Sequence, residues 1–112
     1  WANLKKDIDA VDHPAFGISC HVGGWRGPDA EEADRLVVPW AVHTHLAWPP
    51  MGGGIADEAS LVEKMAILRD AGYKGYYSIE HHTGKNEYTG VALQVAKVRD
   101  ILDRWRLEGY QP

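Results

Sequence analysis

The sequence has little cysteine, no long apolar run and no excess of basic residues, and each shortage excludes a class of protein. Its single cysteine, Cys20, can form no disulfide within the chain, so a reducing compartment, the cytoplasm, is the expected location. No apolar run approaches the roughly 20 residues of a membrane-spanning helix, and no secretory signal pattern is present. The formal net charge of -4 argues against nucleic acid as a partner, because phosphate binding needs clustered Lys and Arg.

The sequence does contain alternating strand-like and helix-like segments. Short apolar runs predict strands at about 17–22, in VPWAVHTHLAW and in YKGYYSIEHH. Helical spacing of apolar residues and capping signals predict the helices, which cover residues 1–12, 29–37 with Asp29 as the N-cap, 58–71, and a last segment that carries Val91, Val95, Val98, Leu102 and Trp105 on one face. A helix followed by three strand–helix units indicates an α/β fold with parallel strands, and a single domain over residues 1–112.

The two faces of each predicted strand differ in chemistry, because strand side chains alternate in direction. One face is apolar and is expected to pack on the helices; it includes Ile18, Cys20, Val42, Leu46 and Ile79. The other face carries small or ligating side chains, namely Ser19, His21, Ala41, His43, His45, Ser78 and Glu80. Strands covered on both sides are nearly continuous in apolar residues. The second face is therefore expected to line a cavity or the inside of a barrel.

At the carboxyl ends of the three strands, this second face ends in His21, His45 and Glu80. Parallel α/β folds carry their sites at this edge, and imidazole with carboxylate suits Zn²⁺, Mn²⁺, Fe²⁺ or Co²⁺. The pattern predicts a metal site; the alternative for each residue taken alone is a hydrogen-bonded or solvated strand end. His43 and His82 share the inward direction and are candidate substrate contacts.

Three segments, AVDHPAFGISCHVGGW, VHTHLAW and LRDAGYKGYYSIEHH, resemble the C-terminal part of the xylose isomerase-like sugar isomerase/epimerase superfamily. AGYKGYYSIEHH is the most specific of them. The resemblance implies an eight-stranded (β/α)8 TIM barrel with a divalent metal, Mn²⁺, Zn²⁺ or Mg²⁺, at its C-terminal mouth. It also implies that residues 1–112 supply the last helix of a preceding unit and the last three βα units of that barrel.

The resemblance assigns roles residue by residue. Glu80 and His45 match the family's metal-binding Glu and His, while His21 stands where the family usually has the Asp of an Asp-x-x-His motif. Gly24 replaces the His of that motif. Trp48 replaces an acidic residue, and either stacks on a sugar ring or packs within its loop.

The activity implied by the resemblance is sugar isomerisation or epimerisation, in carbohydrate metabolism. A proton next to a carbonyl is removed and the metal stabilises the enediolate, with Glu80 as ligand and as acid/base. One alternative keeps the site and changes the reaction to that of a lyase, dehydratase or hydrolase acting on a sugar or cyclitol. A second alternative is a non-catalytic binding or assembly module with a degenerate metal site, which the change from Asp to His21 and the absence of the other units of the barrel favour.

The chain is short for such a barrel, which needs about 200 residues or more. Its 112 residues account for three βα units, and three parallel strands leave two unpaired edges. We therefore expect either a piece of a longer protein, which a first residue Trp1 in place of Met also favours, or a homo-oligomer.

Overall fold

The computed structural model describes residues 1–47, 58–81 and 87–111, and these form a mixed α/β fold with a three-stranded parallel sheet. Its elements in chain order are α1 (Ala2–Val11), β1 (Ile18–His21), α2 (Ala33–Val37), a short 3-10 helix (Val38–Trp40), β2 (Ala41–Ala47), α3 (Glu58–Asp70), β3 (Tyr77–Glu80) and α4 (Glu87–Leu107). Within those three ranges, no helix combines the length and the apolarity that crossing a membrane would require.

The strands lie in the order β1-β2-β3, each pair parallel, as the sequence predicts. His21 of β1 is in register with His45 of β2, which is in register with Ser78 of β3. The ladder continues past β1, because the Val22 amide donates to the His45 carbonyl at 3.0 Å. All three strands therefore end at one edge of the sheet, and side chains at their carboxyl ends are neighbours.

The core lies between one face of the sheet and the helices. Cys20, Val22 and Leu46 are each at most 1% exposed, and they belong to one apolar cluster with residues of α3 and α4. The helices contribute Leu61, Met65, Leu68, Val98, Ile101 and Trp105. Ile18 and Ile79 pack against this cluster. The predicted division into an apolar face and a ligating face is thereby confirmed for the carboxyl half of the sheet.

At the amino end of β2 the predicted faces are wrong. Val42, expected to be covered by helices, is 67% exposed, whereas Ala41, expected on the ligating face, packs against the core. The cause is a β-bulge: Ile18 pairs with Ala41 and Ser19 with His43, so Val42 has no partner of its own. One extra residue reverses the alternation on its amino-terminal side.

The second helix is shorter than predicted, and Asp29 is not its N-cap. Residues 27–32 form turns instead, with the Glu32 amide donating to the Asp29 carbonyl at 3.2 Å, and α2 begins only at Ala33. Asp34, in the first turn of α2, is completely buried. Its contacts with the loop after β1, described below, fix the position of this short helix.

The turn between α3 and β3 explains the G-Y-x-G pattern. Gly72 has a φ of +89°, which an L residue rarely adopts, and it ends α3 while the Tyr73 amide donates to the Leu68 carbonyl at 2.9 Å. The Tyr73 hydroxyl then donates to the Tyr76 carbonyl at 2.9 Å, and its ring lies where a side chain at Gly75 would stand. The start of β3, and with it the position of Glu80, is set by this turn.

Candidate metal centre

The three strand ends bring His21, His45 and Glu80 together. The Oε2 atom of Glu80 lies 3.4 Å from Nδ1 of His21 and 3.6 Å from Nδ1 of His45. One ligand atom from each of the three residues lies within 4.8 Å of the other two. Among the described residues, this cluster is arranged so that it could hold a metal ion, as the sequence predicts.

Register explains how Glu80 reaches both histidines. Glu80 pairs with Ala47, which is two residues beyond His45. The backbone of Glu80 therefore lies two residues closer to the carboxyl edge of the sheet than the backbones of the two histidines. The strand β2 lies between β1 and β3, and the Glu80 side chain has to cross its inner face to approach His21. The methyl group of Ala47 leaves room for that crossing.

The two separations between Glu80 and the imidazole nitrogens are compatible with a tetrahedral ion, while the third, between the two imidazoles, is within 4.8 Å. Two ligands at about 2.0–2.2 Å from a metal stand about 3.3–3.6 Å apart when the site is tetrahedral, and about 2.8–3.1 Å apart at a right angle in an octahedral site. The observed values of 3.4 and 3.6 Å fall in or at the edge of the first range. Two imidazoles and a carboxylate are also a donor set that Zn²⁺ accepts.

The site is open on one side. The side chains of His21 and His45 are 41% and 40% exposed, and that of Glu80 is 33% exposed. The Oε2 atom itself is shielded from solvent. Three protein ligands and an accessible face leave room for a water molecule or a substrate oxygen as the fourth ligand, as in catalytic zinc sites.

The turn after β1 supports His21. The Gly24 amide donates to the His21 carbonyl at 3.0 Å, which folds the turn back over the imidazole. A Cβ atom at residue 24 would stand 3.2 Å from Cδ2 of His21, closer than side chains normally approach. The absence of a side chain at residue 24 therefore leaves room for the imidazole of His21.

Asp34 is buried and accepts hydrogen bonds from the same turn. The sequence alone does not indicate this role. Its two carboxylate oxygens each accept from the Gly23 amide at 3.1 Å, and Oδ1 accepts from Nε1 of Trp25 at 2.7 Å. Lys64 of α3 places Nζ 3.5 Å from Oδ2. In the sequence Asp34 is one acid in a charged helix, and the partners that account for its burial are distant along the chain.

The one cysteine is not a nucleophile in this fold. Cys20 is 1% exposed, and its Sγ is 4.0 Å from Oδ1 of Asp34. Burial, together with the negative charge of Asp34, raises the pKa of the Cys20 thiol to about 12. The thiol is therefore protonated at neutral pH, in agreement with its predicted place in the core.

The predicted substrate contacts are placed only in part. The His43 ring stands at 89° to the His45 ring with 5.1 Å between their centroids, beside the metal ligands and on the same face of β2. His43 is not a member of the His21–His45–Glu80 cluster found among the described residues. His82 and Trp48 lie outside the described residues.

Comparisons with protein-family models, with curated proteins and with solved structures find no match to this chain.

Proposed function

We propose that this chain is the metal-binding part of a sugar isomerase or epimerase that depends on a divalent metal. The observation that carries the proposal is the convergence of His21, His45 and Glu80 at the carboxyl edge of three parallel strands. The resemblance of CHVGGW, VHTHLAW and AGYKGYYSIEHH to the xylose isomerase-like superfamily supports the same function.

The fold proposed for the complete protein is a (β/α)8 TIM barrel, in which residues 1–112 form the last three βα units. In support, the face of the sheet opposite the helices carries ligating side chains, whereas a sheet covered on both sides is apolar throughout. Each outer strand, β1 and β3, pairs on one side only within the described residues. The remaining units come from a longer polypeptide or from further copies of this chain.

The proposed substrate is a sugar or sugar derivative, and nucleic acid is excluded from the proposal on charge. A bound divalent ion supplies Lewis-acid polarisation of a substrate carbonyl. Oε2 of Glu80 would hold the ion, and the other carboxylate oxygen would take a proton from the carbon next to the carbonyl. Isomerisation would be completed when that proton is delivered to the former carbonyl carbon, while the proton of the neighbouring hydroxyl moves to the carbonyl oxygen. His43, beside His45, is the proposed contact for a sugar hydroxyl, and His82 and Trp48 are proposed for the same pocket. The proposed location is the cytoplasm, where the single Cys20 stays reduced.

A second candidate, a metal-binding module without catalysis, is favoured by one observation. Gly24 stands where the superfamily pattern has a histidine, and a Cβ there would crowd His21, standing 3.1 Å from its carbonyl oxygen and 3.2 Å from Cδ2. A site that lacks this second histidine retains its metal ligands but has lost a substrate contact. The two candidates differ in turnover and agree in metal affinity.

Incorporation of deuterium into the sugar distinguishes the enzyme from the binding module. The complete barrel, which is either the longer polypeptide or the homo-oligomer of this chain, is loaded with Zn²⁺, Mn²⁺ or Mg²⁺ and incubated in D₂O with a panel of aldoses and ketoses, with and without a phosphate group. The sugars are followed by NMR. An isomerase or epimerase introduces deuterium at the carbon next to the carbonyl of at least one sugar. Glu80→Gln should abolish this exchange, and Glu63→Gln, an exposed acid of α3, should leave it unchanged. Metal binding without exchange on any sugar would contradict the enzymatic proposal in favour of the binding module.

A further inference from the structure

We infer that Asp34 is a positioning residue for the metal site, acting through the turn after β1 rather than by touching the ion. This inference rests on the proposed metal-binding role of His21. The carboxylate of Asp34 has no exposed surface, so its bonds are made without competition from bulk water. It lies on α2, whereas the residues it holds belong to the turn that carries His21 into the site.

The first step is the clamp on both ends of the turn. Asp34 accepts from the Gly23 amide at 3.1 Å and from the Trp25 indole at 2.7 Å, so the residues on either side of Gly24 are tied to one carboxylate. Hydrogen bonds to an ionised acceptor are about twice as strong as neutral ones. Gly23 has a φ of +71°, which glycine adopts without strain, so the turn itself leaves the carboxylate bonds free to position Gly24.

The second step runs from the clamped turn to the imidazole. The backbone of Gly24 lies against the His21 ring, since a Cβ there would meet Cδ2 at 3.2 Å. The ring has Gly24 on one side and Oε2 of Glu80 at 3.4 Å on the other. If the turn moves away, the ring gains room to rotate, and Nδ1 no longer stays at ligating distance from the Glu80 carboxylate.

The chain offers a control for the alternative that Asp34 only stabilises the fold. Lys64 contacts the same carboxylate at 3.5 Å and comes from α3, with no contact to the turn among those described. Lys64→Gln removes the charge next to Asp34 and leaves the Gly23 and Trp25 bonds in place. Trp25→Phe removes the indole hydrogen bond to Asp34, keeps an aromatic side chain and leaves Lys64 next to the carboxylate.

The test combines a metal-free readout with a metal-bound one. In the metal-free chain, NMR should show a nuclear Overhauser effect between the His21 Hδ2 and Gly24 Hα protons in the parent and in Lys64→Gln. The effect should be lost in Asp34→Asn and reduced in Trp25→Phe. Titration with Co²⁺, followed by its visible absorption, should give affinities about tenfold to a hundredfold lower for Asp34→Asn. Lys64→Gln should bind Co²⁺ within about twofold of the parent while unfolding at a lower temperature.

Each outcome bears on the inference. An unchanged Overhauser effect in folded Asp34→Asn would overturn it, whatever the metal does. A parent chain that binds no Co²⁺ would contradict the proposed metal function, whereas the Overhauser results would still decide the role of Asp34. Equal losses of Co²⁺ affinity in Asp34→Asn and Lys64→Gln would show that Asp34 acts only through stability, against the inference. Asp34→Glu, which keeps the charge, provides a second folded variant if Asp34→Asn does not fold.

Discussion

Glu80 of β3 and His21 of β1 approach to 3.4 Å, although a whole strand lies between the two that carry them. Neighbouring strands of a sheet are about 4.8 Å apart, so their backbones are separated by about twice that distance. The approach requires the long side chain of Glu80, the inward direction of both residues and a small residue, Ala47, opposite Glu80 in β2. These conditions make the contact specific to this arrangement of residues.

The separation of the ligand atoms predicts which ion binds. We expect Zn²⁺ and Co²⁺ to bind far more tightly than Mg²⁺, because Mg²⁺ requires an octahedral set of oxygen ligands. Competition titrations against a chromogenic chelator give the order of affinities. Affinity for Mg²⁺ equal to that for Zn²⁺ would contradict the geometry, in which the imidazole and carboxylate atoms stand 3.4 and 3.6 Å apart.

Gly24→Ala should weaken metal binding through His21. The added methyl group would lie 3.2 Å from Cδ2 of the imidazole, so the ring has to move. We expect a loss of about tenfold in Zn²⁺ affinity, as for other outer-shell changes, together with a lower free energy of unfolding.

A double-mutant cycle measures how far this effect passes through the ring. In a His21→Ala background the ring is absent, and Gly24→Ala should then cost less stability than in the parent. The cost should not vanish, because the same Cβ would stand 3.1 Å from the His21 carbonyl oxygen. Equal costs in the two backgrounds would show that Gly24 and the imidazole do not interact.

Within the described residues the outer edge of β3 has no strand partner, and this predicts self-association when the chain is studied alone. Beside this edge is a groove of about 810 Å³ between β3 and α4, lined by apolar side chains such as Ile79, Val95 and Leu102 and also by the charged side chains of Lys74, Arg99, Asp103 and Arg106. Unpaired strand edges next to apolar surface tend to associate with other polypeptide chains. Light scattering should therefore give a mass above the 12.5 kDa of one chain at micromolar concentration.

Two substitutions on α4 test whether the groove is responsible. Val95→Lys puts a charge among the groove residues and should return the protein to 12.5 kDa particles. Leu93→Lys changes a residue that is 59% exposed and lies outside the groove, and it should leave the association unchanged. A well-folded parent that scatters as a single chain would contradict the prediction.

Cys20 should be unreactive in the folded chain. Its thiol is buried and its pKa is raised to about 12, so at pH 8 almost no thiolate forms. The unfolded thiol has an ordinary pKa of about 9.0 and ionises more readily, so the stability of the fold does not depend on this group below about pH 9 and falls progressively between pH 9 and 12. Dithionitrobenzoate should label Cys20 at pH 8 in denaturant and not under native conditions. Rapid labelling of the native chain would contradict the buried position.

Much of this arrangement follows from sequence by local rules. Alternation along the strands placed His21, His45 and Glu80 on one face, and the strand–helix order placed all three at one edge; both predictions are confirmed. Two features depend on contacts between distant segments. The bulge at Val42 arises from the pairing of β1 with β2, and it reversed the predicted faces of Ala41 and Val42.

The burial of Asp34 is the second such feature. Local sequence rules place this acid on a solvated helix, because they do not consider hydrogen-bond donors on another segment of the chain. Its burial depends on Gly23, Trp25 and Lys64, and the last of these is 30 residues further along the chain. The sequence could therefore supply the three candidate ligands, and it could not supply Asp34, the residue that we infer positions one of them.

The most direct test of the metal site is calorimetric titration of Zn²⁺ into the parent chain, Glu80→Gln and Glu63→Gln. Both substitutions remove one carboxylate charge, and only Glu80 lies within the cluster. We expect Zn²⁺ to bind saturably to one site in the parent and in Glu63→Gln. Glu80→Gln should lower the Zn²⁺ affinity by at least about tenfold to a hundredfold, because changes at residues that only contact a ligand already cost that much. Equal Zn²⁺ affinity in all three proteins, or no saturable binding in the parent, would show that these three strand ends do not form a metal site.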